Sequence, residues 1–171
     1  MPQQQEEWTP AGPYRLKSGQ HAGQTLEQIL LHNIIDFLKM KWALERNASN
    51  PLHLNGYQRH FQWLIAKFDQ LAATALCREC GQPAKILPAV GSSQEGYHFV
   101  PQPLCPACCA KSQWQRASTV SLSLRAPENF RSQSDKKRAW EAIKAALGFP
   151  KKITGQQLFE LLAAINHHGP V

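Results

Sequence analysis

No run of 18 apolar residues occurs in this 171-residue chain, which argues against a membrane-spanning helix. The most apolar stretches, near 29–38 and 158–165, are interrupted by polar residues at helical spacing. The first twenty residues hold Gln, Glu and Pro where a secretory leader carries an apolar core of about 7–15 residues. Acids are few: twelve Asp and Glu, spread along the chain, with no carboxylate cluster of the kind that holds two catalytic metals. There is no phosphate-binding loop, no His-Glu-x-x-His and no Gly-x-Ser-x-Gly. These absences argue against a membrane, secreted or hydrolytic protein. The expectation is a soluble, cytoplasmic protein that is not an enzyme, with no catalytic residues.

Cysteine is scarce too, but the five present are arranged. Cys77-Arg78-Glu79-Cys80-Gly81 and Cys105-Pro106-Ala107-Cys108 are two C-x2-C steps. Such a step lets two thiolates converge on one ion while its N–H groups point at the sulfurs, and two steps make a closed tetrahedral site. Gly81 falls where a metal knuckle often requires positive φ, and Pro106 stiffens the second knuckle. The expected cofactor is structural Zn2+ on Cys77, Cys80, Cys105 and Cys108. Two disulfides would require an oxidising compartment and would leave Cys109 over. An iron–sulfur cluster also uses four thiolates, and the spacing alone does not separate it from zinc. Cys109 is read as a thiol beside the site, and His98 as a strand residue.

Hydrophobic content of 43% is enough for a core. The net charge of +7 and the pI near 9.3 point to an anionic partner. The charge is uneven. Residues 1–76 carry seven Lys/Arg against six Asp/Glu, and residues 77–117 four against two. Residues 118–152 carry eight against three. The excess therefore sits within and after the cysteine segment.

In chain order, 1–13 reads as a flexible tail, with Trp8 free to pack onto the body. Residues 14–76 read as a hairpin and two helices. Tyr14-Arg15-Leu16-Lys17 alternates like a strand, the next six residues hold two glycines, and Gln24-Thr25 returns. Thr25 is placed to cap a helix reaching about Arg46, with Leu26, Ile29, Leu30, Ile34, Phe37, Leu38 and Trp42 near one face. A second helix runs from Tyr57 to Ala75 on a stripe of Phe61, Leu64 and Phe68. Residues 77–117 read as a zinc ribbon, with strands at 85–90 and 97–100. Within 118–171, residues 120–124 alternate like a strand that joins the ribbon, and residues 126–129 turn. A helix capped by Ser132 or Ser134 follows, with Trp140, Ile143 and Leu147 inward and Lys137, Arg138 and Lys144 solvated. Gly148 ends it, and Thr154 with Gln157 boxes the last helix. His167-His168 reads as tail. The expected fold class is α+β, mostly helical, with a short N-terminal hairpin and a four-cysteine zinc ribbon in the middle.

The stretch Leu16-Lys17-Ser18-Gly19-Gln20-His21-Ala22-Gly23-Gln24-Thr25-Leu26-Glu27-Gln28-Ile29 resembles the G-K-[YH]-x-G-K-T-L-x-x-I motif of the small C-terminal domain of exodeoxyribonuclease X-like proteins. Stand-alone bacterial and phage-type proteins are similar. The resemblance covers residues 14–45. Asp36-Phe37-Leu38-Lys39-Met40 partly echoes the family's next motif, without its proline and with the tryptophan displaced to Trp42. Gln20 and Gln24 stand where the family has lysines, which weakens any phosphate contact there. The resemblance implies a nucleic-acid-associated module and no nuclease, because the exonuclease's acidic residues belong to another domain. On the residues alone, Gly19 and Gly23 describe a tight hairpin with no ligand.

Two functions follow. One is a bacterial or phage-type accessory protein that binds nucleic acid, DNA ahead of RNA, through phosphates. Its candidate contacts are Lys111, Arg116, Arg125, Arg131, Lys136, Lys137, Arg138, Lys151 and Lys152. The other is an adaptor whose ribbon and exposed aromatics, Trp8 and Trp114, dock onto a protein partner. Neither involves a membrane.

Overall fold

Thr25 begins the helical part of the chain. Its hydroxyl accepts the Gln28 N–H, and the Gln28 side chain accepts the Thr25 N–H at 2.9 Å, a reciprocal capping box. The computed structural model from which this geometry comes describes residues 8–47 and 55–165, so His167 and His168 lie outside the described residues. Ahead of Thr25 the expected hairpin is present in minimal form. Arg15 bridges Thr25, and the Leu16 N–H reaches the Gln24 carbonyl at 2.9 Å. Gly19 and Gly23 both take φ of 84°, a left-handed turn that a side chain would strain.

The expected single helix to Arg46 is two helices. Helix α1 spans Leu26–His32 and α2 spans Ile34–Asn47. Asn33 leaves helical geometry at φ −140° and ψ 66°. Its side chain accepts the Asp36 N–H at 3.2 Å and donates to the Asp36 carboxylate at 2.7 Å, so the residue that ends α1 also caps α2. The break rotates the apolar stripe. Trp42, expected on the buried face, is 61% exposed, and its ring lies under the Arg46 guanidinium at 4.8 Å.

Helix α3 (Gly56–Ala73) buries Phe61, Leu64, Phe68 and Ala72, the expected stripe. It also buries His60, Trp63 and Lys67 on a neighbouring face. That face meets the last helix: Trp63 packs on Phe159 with ring centroids 5.2 Å apart, and the Lys67 ammonium donates to the Ile165 carbonyl at 2.9 Å. Phe37 of α2 stacks on Phe61 at 4.6 Å.

The sheet comprises β1 (Ile86–Ser92), β2 (Gly96–Phe99) and β3 (Ser118–Ser121), all antiparallel in the order β2-β1-β3. Ala89 faces Phe99 on one side and Ser118 on the other. The third strand does join the ribbon, but it is 118–121 and stops where the Ser123 N–H turns back to the Ser121 carbonyl. Leu122 and Leu124 are buried beyond it. A short α4 (Pro106–Lys111) follows the second knuckle, and residues 126–129 form one 3₁₀ turn.

Helix α5 (Gln133–Ala146) is capped by Ser132, whose hydroxyl accepts the Asp135 N–H at 2.9 Å. It ends on Gly148 at φ 75°, with the Gly148 N–H on Ala145 O and the Phe149 N–H on Lys144 O, a Schellman close. Trp140 and Ile143 are buried as expected, and Leu147 is half-buried. Trp140 lies against Phe68 at 5.1 Å, and its truncation to Ala would cost about 3–5 kcal/mol. Lys144 is not a solvated residue. Its ammonium donates to the Leu31 carbonyl at 3.0 Å, at the open end of α1, and pairs with Glu141 at 2.7 Å.

Helix α6 (Gly155–Ala163) starts on the Thr154–Gln157 capping box. Its first turn sits on that of α1. A Cβ at Gly155 would lie 2.8 Å from Thr25 Oγ1 and 2.8 Å from Gln28 Cγ, so only glycine lets the two helix starts meet. The fold is α+β, and the buried side chains of helices and sheet form one continuous core.

Candidate metal centre

The four cysteines of the two knuckles converge. Among the described residues, Cys77, Cys80, Cys105 and Cys108 offer sulfurs that all lie within 4.8 Å of one another, with 3.7 Å between those of Cys80 and Cys105. Each knuckle is held by its own backbone. The Cys77 N–H donates to Gln82 O at 2.7 Å, the Gly81 N–H returns to Cys77 O at 2.8 Å, and Gly81 takes φ of 70°. The second knuckle is a helix start. Cys105 is the N-cap of α4, its sulfur accepts the Cys108 N–H at 3.4 Å, and Pro106 fills the first helical position.

Two long-range ties bring the knuckles together. The Arg78 N–H donates to Pro103 O at 3.0 Å, and Leu104 bridges Ile86 at the start of β1. Leu76 bridges Pro83 just after α3, so the site hangs directly from the helical body. Cys77 forms the buried floor, Cys105 and Cys108 are half-buried, and Cys80 is exposed.

Within the cluster the neighbouring sulfurs and backbone shift the thiols of Cys77, Cys80 and Cys108. Burial pushes Cys77 up, but the N–H groups of Cys105, Cys80 and Glu79 and the Cys80 thiol outweigh it and hold Cys77 down to about 6. The Cys80 and Cys105 thiols, then burial, push Cys108 up to about 12. A first thiolate is therefore favoured, and a further negative charge beside it is opposed. A cation placed among the four sulfurs reverses that opposition. Four thiolate donors with no carboxylate or histidine among them suit a soft-tolerant metal in a closed site.

The residues expected to stand aside do so. His98 lies exposed on β2, outside the cluster. Cys109 is buried next to the site, its sulfur 3.9 Å from the Trp114 carbonyl, and burial, then Cys105, raises its pKa. Trp114 is half-buried against the core and is not the exposed docking aromatic that its sequence context suggests. Trp8 is 39% exposed, with its ring edge-on to His60 at 6.3 Å.

The basic candidates fall into separate places. Lys137 and Arg138 share a groove of about 450 Å³ with His98 and Phe99 of β2. Lys136 is half-buried on the same turn of α5. Arg116 lines a second groove with Trp114 and Val90. Arg125 points elsewhere, to Glu45 of α2 at 3.3 Å. Lys111 and Arg131 are exposed. Lys151 and Lys152 are exposed past the far end of α5, about 20 Å from its start at 1.5 Å per residue.

Asp135, in the first turn of α5, does more than start the helix. Its carboxylate accepts the Tyr97 N–H at 3.0 Å and so fastens α5 to the ribbon. The spacing Ser132-x-x-Asp135 predicts the cap but not the strand that the acid also holds. Against known protein families, curated proteins and solved structures, the chain shows no significant match.

Proposed function

We propose that the four cysteines hold a structural zinc ion and that the resulting ribbon, together with α5, binds nucleic acid through its phosphates, DNA ahead of RNA. The protein acts as an accessory factor and carries out no catalysis of its own. One observation carries the reading. The basic first turns of α5 lie against the outer strand of the ribbon, where His98, Lys137 and Arg138 line one groove. Arg138 also reaches the hairpin, its guanidinium 2.9 Å from where a Gly96 Cβ would stand. A metal that orders the ribbon thereby orders the surface that its hairpin shares with the cations. The motif resemblance at residues 14–45 supports the same class of partner.

Fluorescence anisotropy of labelled single- and double-stranded DNA and RNA, titrated with zinc-loaded protein at several salt concentrations, tests it. Binding should weaken steeply with salt, by about 0.9 in log–log slope for each phosphate contacted on duplex DNA. Lys136→Gln, Lys137→Gln and Arg138→Gln together should lower that slope. Absence of binding at the lowest salt, or an unchanged slope in the triple variant, overturns the proposal.

A second reading, an adaptor for a protein partner, is favoured by the exposure of Trp42 and of Leu76 beside the first knuckle. It predicts a stoichiometric partner whose recovery survives nuclease treatment and is lost in Trp42→Ala.

A further inference from the structure

A cleft of about 520 Å³ lies away from the ribbon, between the N-terminal hairpin and α2. That size suits a small organic ligand, for which pockets run from about 300 to 1,000 Å³. One wall is aromatic. Tyr14 and Tyr57 stand with ring centroids 5.7 Å apart, and both line the cleft. Neither phenol oxygen has a hydrogen-bond partner among the described residues. Burial, then the nearby Tyr14 phenol, raises the pKa of Tyr57, so its hydroxyl keeps its proton as a donor at neutral pH.

Other lining residues are charged and braced. His21 Nε2 and the Asp36 carboxylate are 3.1 Å apart, and His21 Nδ1 meets Gln24 Oε1 at 3.1 Å. Asp36 also accepts from the Lys39 ammonium at 3.0 Å and from Asn33 at 2.7 Å. Asp36 and His21 are mostly buried, with side chains 15% and 13% exposed, so this network is fixed and not a chance surface pair. Lys17, on the hairpin, completes the rim and has no acidic partner among the described residues. The lining therefore combines two tyrosine rings with two lysines, of which Lys39 is paired with Asp36 and Lys17 is not.

We infer that this cleft binds a nucleoside phosphate, the base lying on Tyr57 and Tyr14 and the phosphate meeting Lys17 and Lys39. A simple anion would leave the two tyrosine rings uncovered, and an apolar ligand would leave Lys17 unanswered. Base-on-tyrosine stacking tolerates any base, so the site selects a chemical class and not a sequence. The ligand comes either as a free mononucleotide or as one unit of a single strand. The inference deepens the nucleic-acid reading and rests on it only for the second source.

The test uses the full zinc-loaded chain with AMP, adenosine, inorganic phosphate and a single-stranded hexanucleotide as probes. Calorimetry gives affinities, and NMR follows the His21 and Tyr57 ring signals. AMP or the strand should bind at least tenfold tighter than adenosine or phosphate and should shift both rings. Lys17→Gln, on an exposed side chain, and Tyr57→Leu should each weaken binding about tenfold. If the strand displaces AMP, the ligand is a strand unit, and if AMP binds tighter, it is a free nucleotide. The inference is overturned if neither probe moves the His21 and Tyr57 signals, or if Lys17→Gln binds AMP as the unaltered protein does. A protein that binds strands only through α5 overturns the cleft and keeps the ribbon reading. One that binds AMP but no polymer does the reverse.

Discussion

Glu27 Oε1 and His60 Nε2 lie 2.6 Å apart in the core, with their side chains 0% and 2% exposed. The pair joins the first turn of α1 to α3 under a roof of Trp8, Tyr14, Trp63 and Phe159 rings. A buried polar group left without its partner is far more costly than the pair is stabilising. Glu27→Leu or His60→Phe alone should destabilise the protein by about 3–5 kcal/mol. Glu27→Leu with His60→Phe should cost well under the sum of its single changes. Urea denaturation of the four proteins checks this, and additive losses would show that the two residues act independently.

Metal content should separate the four clustered cysteines from the fifth. Cys109→Ser should retain one zinc per chain, because its sulfur faces the Trp114 carbonyl and lies outside the cluster. Cys80→Ser and Cys105→Ser should lose tight binding, since three thiolates no longer close a tetrahedral site. Chelation of the unaltered protein should lower the melting temperature and abolish the far-ultraviolet signature of the ribbon. Atomic emission and circular dichroism on the same samples give the answer. Equal metal loss in Cys109→Ser would redraw the ligand set.

Acid sensitivity should trace in part to Asp135. The Tyr97 N–H first, then the Ser132 hydroxyl, hold its carboxyl below the ordinary value against burial, and Arg138 adds to this. A carboxyl depressed by folding contributes stability in full above its unfolded value, about 3.9. That contribution falls as pH drops from there through the lower folded value. Asp135→Asn should therefore cost about 1–3 kcal/mol at pH 7. It should also flatten the loss of stability below about pH 4. Stability curves at stepped pH decide it, and parallel curves would remove Asp135 as the cause.

Asn33 should matter more than its place inside an apolar run suggests. Asn33→Ala removes the side chain that caps α2 and should cost about 1 kcal/mol. Asn33→Asp should retain most of the stability, because its oxygen can still accept the Asp36 N–H, although it places a second acid beside Asp36. Thermal melts of both variants are sufficient. An Ala variant as stable as the parent would mean that the break is held by packing alone.

The sequence alone determined whatever is decided within a few residues. The four clustered cysteines are legible because each knuckle closes over four positions. Thr25, Thr154 with Gln157, and Gly148 are legible, and the cap of α5 is narrowed to Ser132 or Ser134, because a cap is a local contest for the end groups of one helix. The α+β class followed from where the apolar period changed from helical to alternating. The break at Asn33 was not legible, because the apolar pattern runs through it and an Asn cap competes with continued helix by only about 1 kcal/mol. Tertiary packing decided that contest. It also decided everything that spans distance: Glu27 on His60 across 33 positions, Asp135 on Tyr97 across 38, and Lys144 on the end of α1 across 113. Read alone, each of these charged or polar residues belongs at the surface. Each is buried or half-buried because another element carries its partner there. The cleft that joins Tyr14 and Tyr57 to His21 and Asp36 arises in the same way, from a hairpin, a split helix and a third helix that meet only when folded.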